Sequence, residues 1–233
     1  MEVAELLERA RPVALAAQRA LPVTPALTSL LPGGLRRGST VAIGTGAGTG
    51  AGTGAGTGAG AGSTSLLLAL LAAASAEGSW VALVGMPEVG PEAAASMGID
   101  LGRLALVPDP GEQWPAVVSA LLDGIELVAV RLGGRLRPRP VEARRLAARA
   151  RHQSSVLIVT GTPWPEGCDL SLDVVAGEWD GLGAGYGSLT RRRVEVAVGG
   201  RRAASRRRQA ALWLPDESGR PEPVDDTLVA LHP

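Results

Sequence analysis

The sequence predicts an α/β fold: a mostly parallel sheet flanked by helices, with antiparallel strands at the C-terminal end. Three observations carry this. First, short Val/Leu/Ile/Ala runs alternate with longer segments of helical periodicity between residues 41 and 160, the pattern of strand–helix–strand units. Second, those runs are continuously apolar, as strands covered on both faces must be. Third, from about residue 170 strand-like segments follow one another with no helix between them.

Taken in order, residues 2–20 read as a helix interrupted at Pro12, with Val3, Leu6, Leu7 and Ala10 on one stripe that packs on its own core or on a partner. Pro22, Pro25 and Pro32 mark an extended connection into "LPGGLRRGSTVAI". A glycine ladder follows, then a helix over about 63–76, the strand "WVALVG", a helix near 91–97 and the strand "RLALVP". A helix over 111–122, the strand "IELVAV", an arginine-rich helix over 140–151 and the strand "SVLIVTG" complete the alternating part. Beyond it, "LSLDVVAGEW", "RRRVEVAV" and "RQAALWLP" are strands, the last two joined by a turn at "GGRRAAS". "WDGLGAGYGS" (179–188) reads as a glycine-rich loop. The Pro/Asp/Glu-rich tail from Asp216 reads as disordered. This gives an N-terminal segment over 1–26, a core over 27–215 with an insert at 44–62, and a tail over 216–233.

Composition narrows the chemistry. Hydrophobic residues make up 45% of the chain but Phe is absent, so the core must be built from Leu, Val and Ala. The formal net charge is zero, which gives no global drive toward nucleic acid or membrane. The basic residues are all arginine, so no lysine-dependent mechanism is available. One cysteine, Cys168, and two histidines leave no disulfide and no Cys- or His-based metal site. Cys168 has no activating histidine near it in sequence and reads as inert. The N-terminus has no signal-type apolar stretch and "LLLALLAAASA" is too short to span a membrane, so a soluble cytoplasmic protein is expected.

The stretch "VAIGTGAGTGAGTGAGTGAGAGSTSLLLALLAAAS" has the layout of a phosphate-binding loop, strand to glycines to helix. Four Gly-Thr-Gly-Ala copies span Gly44 to Ala59. Two readings stand: a flexible insert produced by repeat slippage, or a surviving anion nest made by backbone N–H groups from Gly60 through Gly62 to Thr64.

"LPGGLRRGSTVAI", "STSLLLALLAAASAEGSWVALVG", "GPEAAASMGIDLGRLALVPDPGEQ" and "SLTRRRVEVAVGGRRAASRRRQAALWL" together resemble the RecA recombinase core over residues 27–215, in order and in spacing. With three repeats removed, the loop has the length of the RecA loop. The resemblance then implies a site whose chemical positions are replaced. Ser63 stands where the phosphate-binding lysine belongs, and Thr64 at the magnesium-ligand position. Arg131 replaces the magnesium aspartate, and Met86 replaces the catalytic glutamate with Glu88 two positions away. Thr162 stands for the nucleotide-sensing glutamine. Each lost group helps stabilise charge that moves in phosphoryl transfer. The expectation is therefore no catalytic residues, no ATP or magnesium cofactor, and no enzyme activity.

Within that superfamily the chain resembles the ImuA family, in its actinobacterial ImuA-prime branch. The resemblance implies a role in the DNA-damage (SOS) response and translesion synthesis, beside an ImuB-like Y-family protein and a DnaE-type error-prone polymerase, with nucleoid association on damage. Two alternatives are a divergent DNA-dependent ATPase using Thr64 and Glu88, and a division inhibitor of the SulA type.

Candidate DNA or partner contacts are Arg191, Arg192, Arg193, Arg201, Arg202, Arg206, Arg207 and Arg208. They form either a basic ridge for phosphates or an acidic partner, or a charged edge that resists aggregation. Strand alternation sends Arg191 and Arg193 to one face and Arg192 to the other. The helix over 140–151 turns Val141, Leu146 and Ala150 inward and its arginines outward. Trp80 and Trp213 read as core, Trp114 and Trp164 as surface residues.

Overall fold

A computed structural model describes residues 20–45, 62–134, 136–182, 187–201 and 208–224. The helix expected over 2–20 falls outside them except at Ala20, as do Gly60, Arg202, Arg206 and Arg207. Strands β1 (Ala20–Leu21) and β2 (Leu35–Arg36) form a small antiparallel pair. The main elements follow: β3 (Thr40–Thr45), α1 (Ser63–Ala76), β4 (Val81–Val84), α2 (Pro91–Ser96), β5 (Leu104–Val107), α3 (Trp114–Leu122), β6 (Leu127–Arg131), α4 (Pro140–Gln153) and β7 (Val156–Thr160). The chain then runs through β8 (Leu170–Leu182), β9 (Gly187–Gly199), β10 (Arg208–Trp213) and β11 (Glu222–Pro223).

Nine strands form one sheet in the order β11-β10-β9-β8-β3-β7-β6-β4-β5. The pairs from β8 to β5 are parallel and those from β8 to β11 antiparallel. Parallel strands connected through helices place the loops after β3, β4, β6 and β7 at one end of the sheet, where ligands of α/β folds bind. The glycine ladder leaves the sheet at this end.

Successive residues of each strand feed two cores, as the period of two requires. Val41, Ile43, Val81, Leu83, Leu127, Ala129, Val156 and Ile158 pack under α1. Ala82, Val84, Val128, Val130, Leu157 and Val159 face α3 and α4. Leu66 to Leu71 are all buried, because α1 is enclosed between the sheet and the segment carrying Leu27, Leu30 and Leu35. A helix covered all round needs no polar face.

Several expectations are corrected. Of the segment 179–188, residues 179–182 and 187–188 are strand and 183–186 lie outside the described residues; β8 and β9 are each 13 residues long, with shifts of register near Val174/Ala176 and Asp180/Leu182. Glycine at 181 sits at φ 104, which lets the hairpin bend and continue. The tail is ordered as far as Val224. Asp216 Oδ1 accepts the backbone N–H groups of Ser218 and Arg220, closing a turn that feeds β11 onto β10. Three of the four tryptophan expectations are reversed, while Trp213 is half-buried. Trp80 is 43% exposed because it precedes β4 at the sheet's end, whereas Trp114 and Trp164 are buried against the α3–α4 face. Val141, in the first turn of α4, is exposed, and Ala143 takes the inward place.

Candidate functional site

After the glycine ladder the described chain resumes at Gly62, where α1 begins. Gly62 is the N-cap at φ 100, and a side chain there would approach Nη1 of Arg192 to 3.1 Å. Glycine is required on both counts. Ser63 and Thr64 occupy the first turn of α1, half-buried. Beside them, Arg131 leaves the end of β6 with its guanidinium directed at two oxygens. Nη2 donates to Thr64 Oγ1 at 3.0 Å and Nη1 donates to the Glu88 carboxylate. Glu88 belongs to the loop between β4 and α2, so one side chain ties three connections together.

This arrangement does not fit a magnesium–nucleotide group. A hard divalent cation needs free oxygen ligands. Here the threonine hydroxyl and the nearby carboxylate both accept from a fixed cation at the magnesium aspartate's place. Burial lowers the Arg131 pKa, yet guanidinium remains charged at any working pH. Met86 is buried in the core beneath α1, so its position carries no proton-transfer group. Among the described residues no cluster of three His, Cys, Asp or Glu side chains is arranged to hold a metal.

Thr64, Glu88 and Arg131 are thus brought together, while Thr162 is not. Thr162 lines a cavity of about 330 Å³ on the α4 side of the sheet, with Trp164, Cys168, Ser171 and Asp173. Cys168 is buried there, and burial, with the neighbouring Asp169 charge second, pushes its thiol up to about 11 against an opposing Arg201. That excludes a reactive thiolate.

The β9 arginines are placed as strand alternation requires, but their surroundings differ from a free basic ridge. Arg191 Nε donates to Asp180 Oδ2 at 2.9 Å, lies 3.6 Å from Glu217, and stacks 4.2 Å over the Trp213 ring. Arg193 lies 3.6 Å from Glu195. Arg192 is 5% exposed, 5.6 Å over the Trp179 ring. Sequence reasoning grouped Arg192 with its neighbours and missed its place against Gly62. The available signal was the hydrophobic alternation around it: Val194, Val196 and Val198 share its face and are buried.

Across residues 46–166 the sequence matches the profile of the MT3502 N-terminal domain family. The chain belongs to that family. The matched segment holds the glycine ladder, Thr64, Glu88 and Arg131, so the Arg131 cluster lies inside the MT3502-type domain. Uncharacterized protein Rv3395c of Mycobacterium tuberculosis is 46% identical over 100 residues, which are 43% of this chain and 48% of that protein. The match therefore spans about half the length of this curated relative. Among solved structures, the MT3502-family chain resembles the RadB recombinase with a TM-score of 0.56 and 18% identity, over 86% of this chain and 97% of RadB. That likeness shows a RecA-like fold. No helix among the described residues is long and apolar enough to cross a membrane.

Proposed function

We propose that this chain is a catalytically silent RecA-like scaffold of the DNA-damage response, retained for its surfaces. In this reading it recruits or stabilises an error-prone translesion polymerase complex. The observation that carries the silent part is the Arg131 cluster, which puts a cation and its two acceptors where nucleotide chemistry needs metal, water and a base. The partners follow from the resemblance to the ImuA family: an ImuB-like Y-family protein and a DnaE-type polymerase. Because the curated relative is matched over only half its length, those partners belong to the proposal alone.

Two measurements test it. Purified protein should show no DNA-stimulated ATP hydrolysis. It should also co-purify with a Y-family-like protein from the same cells, with induced mutagenesis lost on deletion. Hydrolysis that disappeared in Thr64→Ala would favour the divergent ATPase instead. Filamentous cells on overexpression, in a strain lacking the mutagenesis polymerase, would favour the division inhibitor.

One observation favours a weaker second reading, phosphate retention without hydrolysis. Arg192 brings a guanidinium to the start of α1, where Ser63 supplies no charge. Calorimetric titration with ADP in the absence of magnesium decides it, since binding should vanish in Arg192→Met.

A further inference from the structure

The far end of the sheet from Arg131 collects arginines that the sequence keeps apart. Thr40, Val156 and Leu170 begin β3, β7 and β8 there, Gly199 ends β9 and Arg208 begins β10. The turn Arg36–Arg37–Gly38 packs onto this end. The Gly38 N–H donates to Ser155 O at 3.1 Å, and a side chain at Gly38 would stand 3.3 Å from Arg151 Cα. Arg36 and Arg208 line one cavity of about 220 Å³ with Ser39 and Asp169. Arg201 is fixed beside them by its N–H to Cys168 O at 3.1 Å. Three segments, the 36–37 turn, the end of α4 and the described residues on either side of the β9–β10 connection, therefore place Arg36, Arg37, Arg151, Arg201 and Arg208 on one basal surface.

Their charge is not neutralised in the way it is elsewhere. Arg103, Arg131, Arg139, Arg144, Arg149, Arg191 and Arg193 each sit in an ion pair. Arg36, Arg37, Arg151 and Arg208 form no ion pair with an acidic side chain among the described residues. Among the described residues Arg201 meets one acid, Asp169, at 3.9 Å. Asp169 itself is largely buried and accepts the Thr40 N–H at 3.0 Å. Glu77 shares a cavity with Arg37 but does not pair with it. Arg36, Arg151 and Arg201 are exposed.

The surface also lacks what a protein interface needs. Among the described residues the exposed large hydrophobic side chains are Trp80, Leu101, Leu106, Val141, Val175 and Leu189. None belongs to the three segments. Trp80, also at this end, precedes β4, three strand positions from β3 and so about 14 Å away. Interfaces draw their energy from buried aromatic and aliphatic anchors, and bases of single strands stack on aromatic platforms. Arginines without either suit the polyanionic backbone of a duplex, contacted through phosphates alone.

We infer that the basal arginines Arg36, Arg37, Arg151, Arg201 and Arg208 form a sequence-independent binding surface for double-stranded nucleic acid, at the end of the sheet opposite the nucleotide remnant. This goes beyond the scaffold reading and does not rest on it.

The test is fluorescence anisotropy of a labelled 20-base-pair duplex with the full chain, between 50 and 200 mM salt. About four to five neutralised phosphates give a log–log slope near −4, hence about a 200-fold loss of affinity over that range. Arg36→Ala/Arg151→Ala/Arg201→Ala should weaken binding at 50 mM salt by at least about 10-fold and reduce the slope by about two to three. Arg137→Ala/Arg145→Ala, on the opposite part of α4 and the loop before it, should change neither. Thermal unfolding of the triple variant should match the parent, since the removed side chains are exposed. No measurable duplex binding at 50 mM salt, or equal loss in both variants, overturns the inference. So does displacement of the duplex by polyglutamate as effectively as by unlabelled duplex, which would point to an acidic protein segment.

Discussion

Arg131→Met tests whether the cluster at the head of the sheet is a structural replacement for the lost ligand. The Arg131 side chain is 30% exposed and Glu88 is 50% exposed, so their ion pair is worth only about 0.2–1 kcal/mol. The hydrogen bond to Thr64 Oγ1, half-buried and charge-assisted, adds about 1–2 kcal/mol. Desolvation of the guanidinium opposes both, and methionine recovers part of the aliphatic packing. The net expectation is a loss of about 1–2 kcal/mol. For a chain of this size that lowers Tm by about 2–8 °C.

Differential scanning calorimetry reads it, alongside Glu88→Gln, Thr64→Val and the double variants. Each pair should show coupling of about 0.5 kcal/mol or more, because both oxygens meet one guanidinium. Arg131→Asp should lose more than Arg131→Met without metal, as a second carboxylate faces Glu88. It should regain part of the loss in 10 mM magnesium, to which the parent does not respond. An Arg131→Met protein as stable as the parent, with no coupling to Thr64 or Glu88, would refute the reasoning.

Three further outcomes follow from other parts of the fold. Asp123 is held well below 3.8, at about 2, chiefly by hydrogen bonds from Arg149 and then from Gln153. A depressed carboxylate stabilises the fold above its unfolded value and loses that contribution as pH falls through the folded one. The Tm gap between parent and Asp123→Asn should therefore be open at pH 7 and close between about pH 4 and pH 2; a gap constant with pH would contradict this. Cys168, near 11, should have a thiolate fraction of about 10⁻³ at pH 8, so that disulfide reagents label the native protein at least about 100-fold more slowly than the unfolded chain. Rapid native labelling would count against the buried placement. Gly161→Ala, at φ 91 with the new methyl inside van der Waals contact of the Leu132 carbonyl oxygen, should destabilise by about 2–4 kcal/mol in urea titration. A neutral result would show that the turn after β7 relaxes.

The parallel half of the sheet was legible because each buried strand is a continuous apolar run and each helix has its own period. The antiparallel half was legible in kind but not in extent. Gly181 and its neighbours in 179–182 look like a loop, and only pairing with β9 makes them strand. The tryptophans misled for a related reason. Trp114 and Trp164 sit beside prolines, which signal a turn, but the turn brings each ring down onto the sheet. At the site, the sequence singled out Thr64, Glu88 and Arg131 one by one, and the structure places these three together. Their geometry was not legible, since Glu88 meets Arg131 across 43 residues of chain and no local rule pairs them. The basal arginines were hidden in the same way: Arg36 and Arg208 share a cavity only because β3 and β8 are neighbours in the sheet.

In the proposed reading, a nucleotide site without its lysine and aspartate leaves a half-buried threonine hydroxyl and a half-exposed carboxylate; the unsatisfied hydroxyl costs about 1–3 kcal/mol, the hydrated carboxylate little. A chain that only lost the charged groups would carry that penalty whenever nucleotide was absent. Placing arginine at the end of β6 removes it, because a single side chain donates to both oxygens without any ligand. The head of the sheet is then satisfied with or without nucleotide, and the loops after β4 and β6 are held in one arrangement. An ATPase uses those loops to report nucleotide state to its neighbours. In the scaffold we propose, Arg131 leaves that report without an input, and a surface built on this fold is presented constantly. Constant presentation suits that proposed recruiting role better than a motor, and for the proposal the Arg131 cluster weighs more than the glycine ladder.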